Sequence, residues 1–145
     1  MKSKDTFIQE ILKDIYGLSI PELEDSRRWQ ISNIINVVVN GDTIQKYLII
    51  DVIIKDKIGV YVYVLTNNRL IVFAIDTVNK VDTSLFNYTE MQKVSFSSPD
   101  TNRIVVEISL SNNRSLGLEY STEKKEITDF FQALDQILIS NKAHV

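Results

Sequence analysis

The chain of 145 residues has no cysteine, one histidine, two prolines and four glycines. Each scarcity excludes something. Without cysteine there is no disulfide, no thiolate nucleophile and no cysteine metal site. The single histidine, His144, is the penultimate residue, where chain ends are usually poorly ordered. A Ser-His or Cys-His couple therefore has no positioned base. So few glycines leave little backbone for phosphate-cradling nests. The chain contains no G-x-S-x-G, P-loop, G-x-G-x-x-G or H-E-x-x-H pattern. The reading is a non-enzymatic protein with no cofactor.

Long apolar runs are missing too. The longest near the middle, YLIIDVII, is eight residues and contains Asp51, far short of the roughly 20 a membrane-spanning helix needs. The opening stretch MKSKDTFIQEILKDIYG carries charge every few residues and has no signal-peptide core. Cytoplasmic residence is the expectation. Net charge is −3, with both signs interspersed. A mixed, mildly acidic surface offers no basic footprint for nucleic acid and little attraction to anionic lipid.

What is present is a globular composition, 44% hydrophobic and 24% charged, enough for one domain with a true core. Phe7, Ile8, Ile11, Leu12 and Ile15 recur at helical spacing behind Ser3 or Asp5 as cap, and Gly17 suits the helix end. Ser19, Pro21 and Glu22 give a second start signal. From there Ile20 to Val38 carries a second stripe with Trp29 beside it, closed by Gly41; its β-branched end, NVVVN, also suits extended backbone. Residues 1–40 thus read as a helical hairpin.

After Gly41 the period changes to two. Ile44, Leu48, Ile50, Val52 and Ile54 fall on one face of a strand and Tyr47, Ile49, Asp51 and Ile53 on the other. Asp56-Lys57 is a turn, and VYVYVLTNNRLIVFAI is a hairpin folded about Asn67-Asn68. That hairpin is apolar on both faces, so alternation leaves its register open, and something must cover the second face. Arg69 is expected to close the sheet end through a hydrogen bond or ion pair. Asp76 to Thr83 is loop-like, Leu85 to Phe96 holds a further strand or two broken near Thr89-Glu90, and Ser97-Ser98-Pro99-Asp100 reads as a turn.

Register is legible in the second hairpin, Ile104 to Tyr120. A two-residue loop at Asn112-Asn113 sets apolar residues against polar ones. A three-residue loop, Ser111-Asn112-Asn113, opposes Ile108 to Leu116 and Val106 to Leu118, with Asn113 left-handed. The chain ends in an amphipathic helix capped by Ser121 or Thr122, with Ile127, Phe130, Phe131, Leu134, Ile137 and Leu138 as its stripe. Two helices, six or seven antiparallel strands and a last helix make an α+β fold.

At Leu65-Thr66-Asn67-Asn68-Arg69-Leu70 the chain resembles the bacterial pleckstrin-homology-like families, whose second and third strands carry a Leu-Thr-Asn-x-Arg-Leu pattern. Gly41-Asp42-Thr43-Ile44 is similar to their Gly-Glu-x-Ile/Val lead-in to the first strand. Phe86 to Val94 resembles the aromatic stretch with a Glu-Ile-x-x-Val core that follows the third strand. The resemblance covers residues 41–140 and implies a bent antiparallel half-barrel with a C-terminal capping helix. Residues 1–40 would then pack on one sheet face, and 41–145 would form one unit. It also implies a binding or scaffolding module. Relatives that bind phosphoinositides use several basic residues on the first two strands; here only Lys46, Lys55 and Lys57 stand near, diluted by Asp51 and Asp56. Lipid-surface binding is therefore not favoured. A protein partner is expected, with Trp29, Tyr61 and Tyr63 as candidate surface aromatics, and self-association through a bare apolar face competes. The alternative functions are an immunity-type inhibitor of an enzyme and a lipid- or small-ligand-binding domain.

Overall fold

The computed structural model describes residues 3–16, 25–54, 57–76 and 81–143. The fold is α+β, with helices at the two ends of the chain and antiparallel strands between. The strands form two separate sheets, β1-β2-β3-β4 and β5-β6-β7, where the sequence suggested one continuous bent sheet. A 3₁₀ turn at Tyr88–Glu90 makes the break, at the interruption the sequence marked. The seven antiparallel strands among the described residues, followed by a helix, are consistent with a pleckstrin-homology-like arrangement. Among the described residues no helix is long and apolar enough to cross a membrane.

Two compact units divide the chain, residues 1–85 and 86–145. The helices belong to the first of these, where their apolar stripes are buried together with the strands that follow, as expected of residues 1–40 packing on a sheet face.

In the first unit, α1 (Lys4–Tyr16) begins at Ser3, whose hydroxyl accepts the Thr6 N–H at 3.2 Å. Helix α2 (Asp25–Val39) stays helical through its β-branched end. Asn40, not Gly41, takes the left-handed position after it, at φ 46°, and its N–H donates to the Asn36 carbonyl at 3.0 Å. Gly17 and the start signals at Ser19, Pro21 and Glu22 lie outside the described residues. Strands β1 (Ile44–Ile54), β2 (Lys57–Thr66) and β3 (Arg69–Asp76) pair in order, with β4 (Val81–Asn87) at the far edge. Strand β4 begins inside the stretch the sequence read as loop.

The β2–β3 register is Val60↔Ile75, Val62↔Phe73 and Val64↔Ile71 on one face, and Tyr61↔Ala74, Tyr63↔Val72 and Leu65↔Leu70 on the other. The first face packs on the helices. Phe7, Ile8 and Ile11 of α1 and Ile31, Ile35 and Val39 of α2 form one buried core with Val60, Val62, Val64, Ile71, Phe73 and Ile75. Those six strand residues are all fully buried. At roughly 2 kcal/mol for each side chain removed from water, this layer is a major stabilising element of the unit. A register shift between Ile44 and Lys46 turns Ile44 onto the helix side, with Tyr47 and Ile49, against the simple alternation.

In the second unit, β5 (Met91–Asp100), β6 (Arg103–Leu110) and β7 (Ser115–Ser121) form a meander. Ile108 opposes Leu116 and Val106 opposes Leu118, the Leu110 N–H donates to the Arg114 carbonyl at 2.8 Å, and Asn113 has φ 63°. This is the three-residue loop that the apolar pattern requires. Ser97 to Asp100, expected as a turn, completes β5 instead, with a register irregularity between Ser97 and Asp100. Pro99 is tolerated because β5 is an edge strand. The chain reverses at Thr101-Asn102, where the Asn102 N–H donates to Asp100 Oδ1 at 2.8 Å. Helix α3 (Lys125–Ala143) starts later than Ser121 or Thr122. Ser121 ends β7, and its Oγ accepts the Glu123 N–H at 3.3 Å, in a turn ahead of the helix. Helix α3 buries Ile127, Phe130, Phe131, Leu134 and Leu138 and runs against β5, while Thr128 hydrogen-bonds the Tyr120 hydroxyl at 2.6 Å.

Candidate functional site

A dense polar constellation among the described residues of the first unit joins two motifs 24 residues apart in the chain. Strands β1 and β2 are antiparallel, so the start of β1 lies beside the β2–β3 turn. Asp42, just ahead of β1, places its carboxylate among three side chains of that turn. Oδ1 accepts the Asn68 side-chain amide at 2.8 Å. Oδ2 stands 3.1 Å from the Thr66 hydroxyl and 3.3 Å from Arg69 Nε. Alongside, Asn67 and Thr43 exchange two bonds: the Thr43 N–H donates to Asn67 Oδ1 at 2.9 Å, and the Asn67 N–H to the Thr43 carbonyl at 3.1 Å.

Thr66 is fully buried and ties the turn to itself. Its Oγ1 accepts the Asn68 and Arg69 N–H groups, each at 3.1 Å. Its single hydroxyl proton serves either Asp42 or the Arg69 carbonyl, both at 3.1 Å. Neither asparagine of this two-residue loop is left-handed, so side chains shape the turn. Arg69 thus closes the sheet end through an ion pair, as the sequence suggested. The role of Asp42 was missed, although antiparallel pairing of consecutive strands puts residues 42 and 66 at one end and gave the signal.

Chemically the constellation is a clasp. The carboxylate meets two neutral donors and a guanidinium, an arrangement that satisfies charge and fixes the turn. Among the described residues there is no group of three or more His, Cys, Asp or Glu side chains fit to hold a metal ion.

Of the candidate lysines, Lys46 and Lys57 hold strand positions at opposite ends of the β1–β2 ladder. Lys46 is exposed and opposes Leu65, whereas Lys57 opposes Ile54, eight positions along the same ladder. Their strand positions are about 26 Å apart at a typical rise per residue. Lys55 lies outside the described residues, as does the side chain of Lys57.

Tyr61 and Tyr63 share the face of β2 turned away from the helix core, their rings edge to face with centroids 6.2 Å apart. Both are half-buried. Burial, and then the field of Tyr61, pushes the Tyr63 hydroxyl up to about 12. On the helix side, the Tyr47 hydroxyl donates to Asp14 Oδ2 at 2.6 Å and its ring stands edge to face on Phe7 at 6.2 Å. Burial, the bond to Asp14 and the charges of Asp14 and Glu10 raise Tyr47 well above its ordinary 10.

Trp29 belongs to α2, though its side chain lies outside the described residues. On a 100° wheel the face of α2 opposite Ile31 and Ile35 carries Asn33, Asn36 and Val37. Val37 is 63% exposed. A groove of about 260 Å³ runs beside this face, lined by Asp5, Ile8 and Gln9 of α1 and Ser32, Asn33 and Asn36 of α2. No protein-family model matches the chain, and a search of the curated proteins finds no relative.

Proposed function

We propose that the chain is a non-enzymatic interaction module with a pleckstrin-homology-like core, acting in the cytoplasm on a protein partner. The family part of this reading is supported by the clasp. Gly41-Asp42-Thr43-Ile44 and Leu65-Thr66-Asn67-Asn68-Arg69-Leu70, two of the three stretches that carry the resemblance, are physical partners. Two motifs that depend on each other are less readily a coincidence of hairpin sequence than either alone.

One observation carries the partner part: the outward face of α2 presents an apolar side chain, Val37, in a row of amide side chains that continues into a polar groove. Apolar anchors ringed by polar groups are the usual composition of a contact surface. Separation of Lys46 from Lys57 weighs against a lipid-headgroup site between the first two strands.

The test is affinity capture from the native host with the full chain and with Val37→Asp. A partner recovered stoichiometrically by the parent chain and lost with the variant, both equally folded by circular dichroism, supports the reading. Recovery unchanged by Val37→Asp moves the contact elsewhere. Recovery of a single enzyme whose activity falls on binding would replace this reading with the inhibitor reading.

A further inference from the structure

Asn40 is the one asparagine in the chain that precedes a glycine. It sits where α2 turns into β1, exposed and left-handed at φ 46°. Its neighbours hold the turn: the Asp42 N–H donates to the Val39 carbonyl at 2.9 Å. The Lys4 ammonium donates to the Asn40 carbonyl oxygen at 3.1 Å. That cation withdraws electron density from the Asn40–Gly41 peptide and eases loss of its N–H proton. Gly41 is exposed, and a methyl group built on it meets nothing within 4 Å.

We infer that Asn40-Gly41 is a site of spontaneous deamidation that loosens the clasp with time. The Gly41 nitrogen gives its proton to a base in solution and attacks Asn40 Cγ. A C–N bond forms, the bond from Cγ to the side-chain nitrogen breaks, and that nitrogen leaves as ammonia with a proton from water. The cyclic imide then takes up one water at either carbonyl and opens to aspartate or isoaspartate. The net change is one water consumed and one ammonia released, with no oxidation or reduction. Asn33 and Asn36 of α2 precede Ile34 and Val37, whose branched side chains crowd the nitrogen, and they lie within regular helix.

The product acts on the neighbouring structure. A new carboxylate at the end of α2 opposes the helix dipole and lies two residues from Asp42. Isoaspartate also inserts a methylene into the main chain between the helix end and Asp42, the hub of the clasp.

To test this, the full chain is incubated at mildly alkaline pH and digested with trypsin. The fragment from Trp29 to Lys46 holds Asn33, Asn36 and Asn40 together, so each serves as the others' control. The expected result is a mass gain of one dalton at Asn40, about tenfold or more faster than at the two residues followed by β-branched neighbours. Fragmentation should show isoaspartate in the product, and the aged fraction should unfold at lower denaturant. Gly41→Ala, which the open space accommodates and whose φ is not left-handed, should abolish the fast gain and keep the parent unfolding midpoint. Equal rates at the three asparagines, or a fast gain that survives Gly41→Ala, would overturn the site. An aged fraction as stable as the fresh one would overturn its link to the clasp.

Discussion

The two sheets are built to opposite plans. In the first unit β2 is apolar on both faces: Val60, Val62 and Val64 meet the helices, and Tyr61, Tyr63 and Leu65 form the second apolar face. In the second unit one face carries Val106, Ile108, Leu116 and Leu118, while the other carries Ser95, Ser97, Glu107, Ser109, Ser115 and Glu119. The difference decides how each sheet finds its register. A slip of one residue in the second sheet sends a charged face inward, so hydrophobic pattern alone fixes the pairing. The same slip in β2–β3 exchanges one apolar face for another. There the clasp adds contacts that the apolar pattern does not, because Thr66, Asn67, Asn68 and Arg69 meet Asp42 and Thr43, and a slipped strand would forfeit them.

The largest expected effect compares one substitution in both sheets. Val62→Lys drives an ammonium into a fully buried site under the helices and should cost more than about 4 kcal/mol, enough to unfold the first unit. Val105→Lys lies on the polar face of β6, between Ser97 and Glu119, and should cost about 1 kcal/mol or less. Urea titration followed by circular dichroism reads both. Equal losses would mean that the two sheets are not differently built.

Much of this architecture was legible from alternation and capping. The α1 stripe, the Tyr61/Tyr63 face and the Ser111-Asn112-Asn113 loop follow from period and from the tolerance of Asn for the left-handed region. Pro99 misled because proline marks turns in general, yet an edge strand asks no N–H of it. Gly41 misled in a related way: Asn40 filled the left-handed position one residue earlier. The break into two sheets and the bulge at Ile44 were illegible, because each depends on pairing between strands. The candidate site was read in halves. Both motifs were visible, whereas their bond through Asp42 needed the sheet topology.

A middle-sized effect tests that bond. Asp42→Ala leaves the Asn68 amide and the partly buried Arg69 without their carboxylate and should cost about 2 kcal/mol, with slower refolding as the β2–β3 register loses its guide. The matching change in the second unit is a change of backbone: Asn113→Gly should be neutral within a few tenths, and Asn113→Val should cost about 1–2 kcal/mol. Stability by urea titration of the three variants tells side-chain specification from backbone specification. An Asp42→Ala protein as stable as its parent would remove the clasp from the account.

The smallest effect at neutral pH is also the most diagnostic of the first unit, since it separates its two faces by titration. Tyr63 lies on the face away from the helices and Tyr47 on the helix side, and burial raises both above 10. A phenol that resists ionisation in the fold but ionises freely in the unfolded chain stabilises the fold fully below pH 10. Above that pH the unfolded chain holds fewer protons than the native one, so stability falls, for Tyr63 until about pH 12. Tyr47→Phe removes one hydrogen bond, to a carboxylate on the exposed side of Asp14, and should cost only about 0.5–1 kcal/mol near neutrality. It should nevertheless flatten the alkaline decline, because phenylalanine has no proton to lose. Tyr63→Phe should flatten it through the opposite face, and the two changes together should flatten it further. Urea midpoints measured on either side of pH 10 provide the readout. A decline with the same slope in the double variant would assign the alkaline sensitivity to groups outside this sheet.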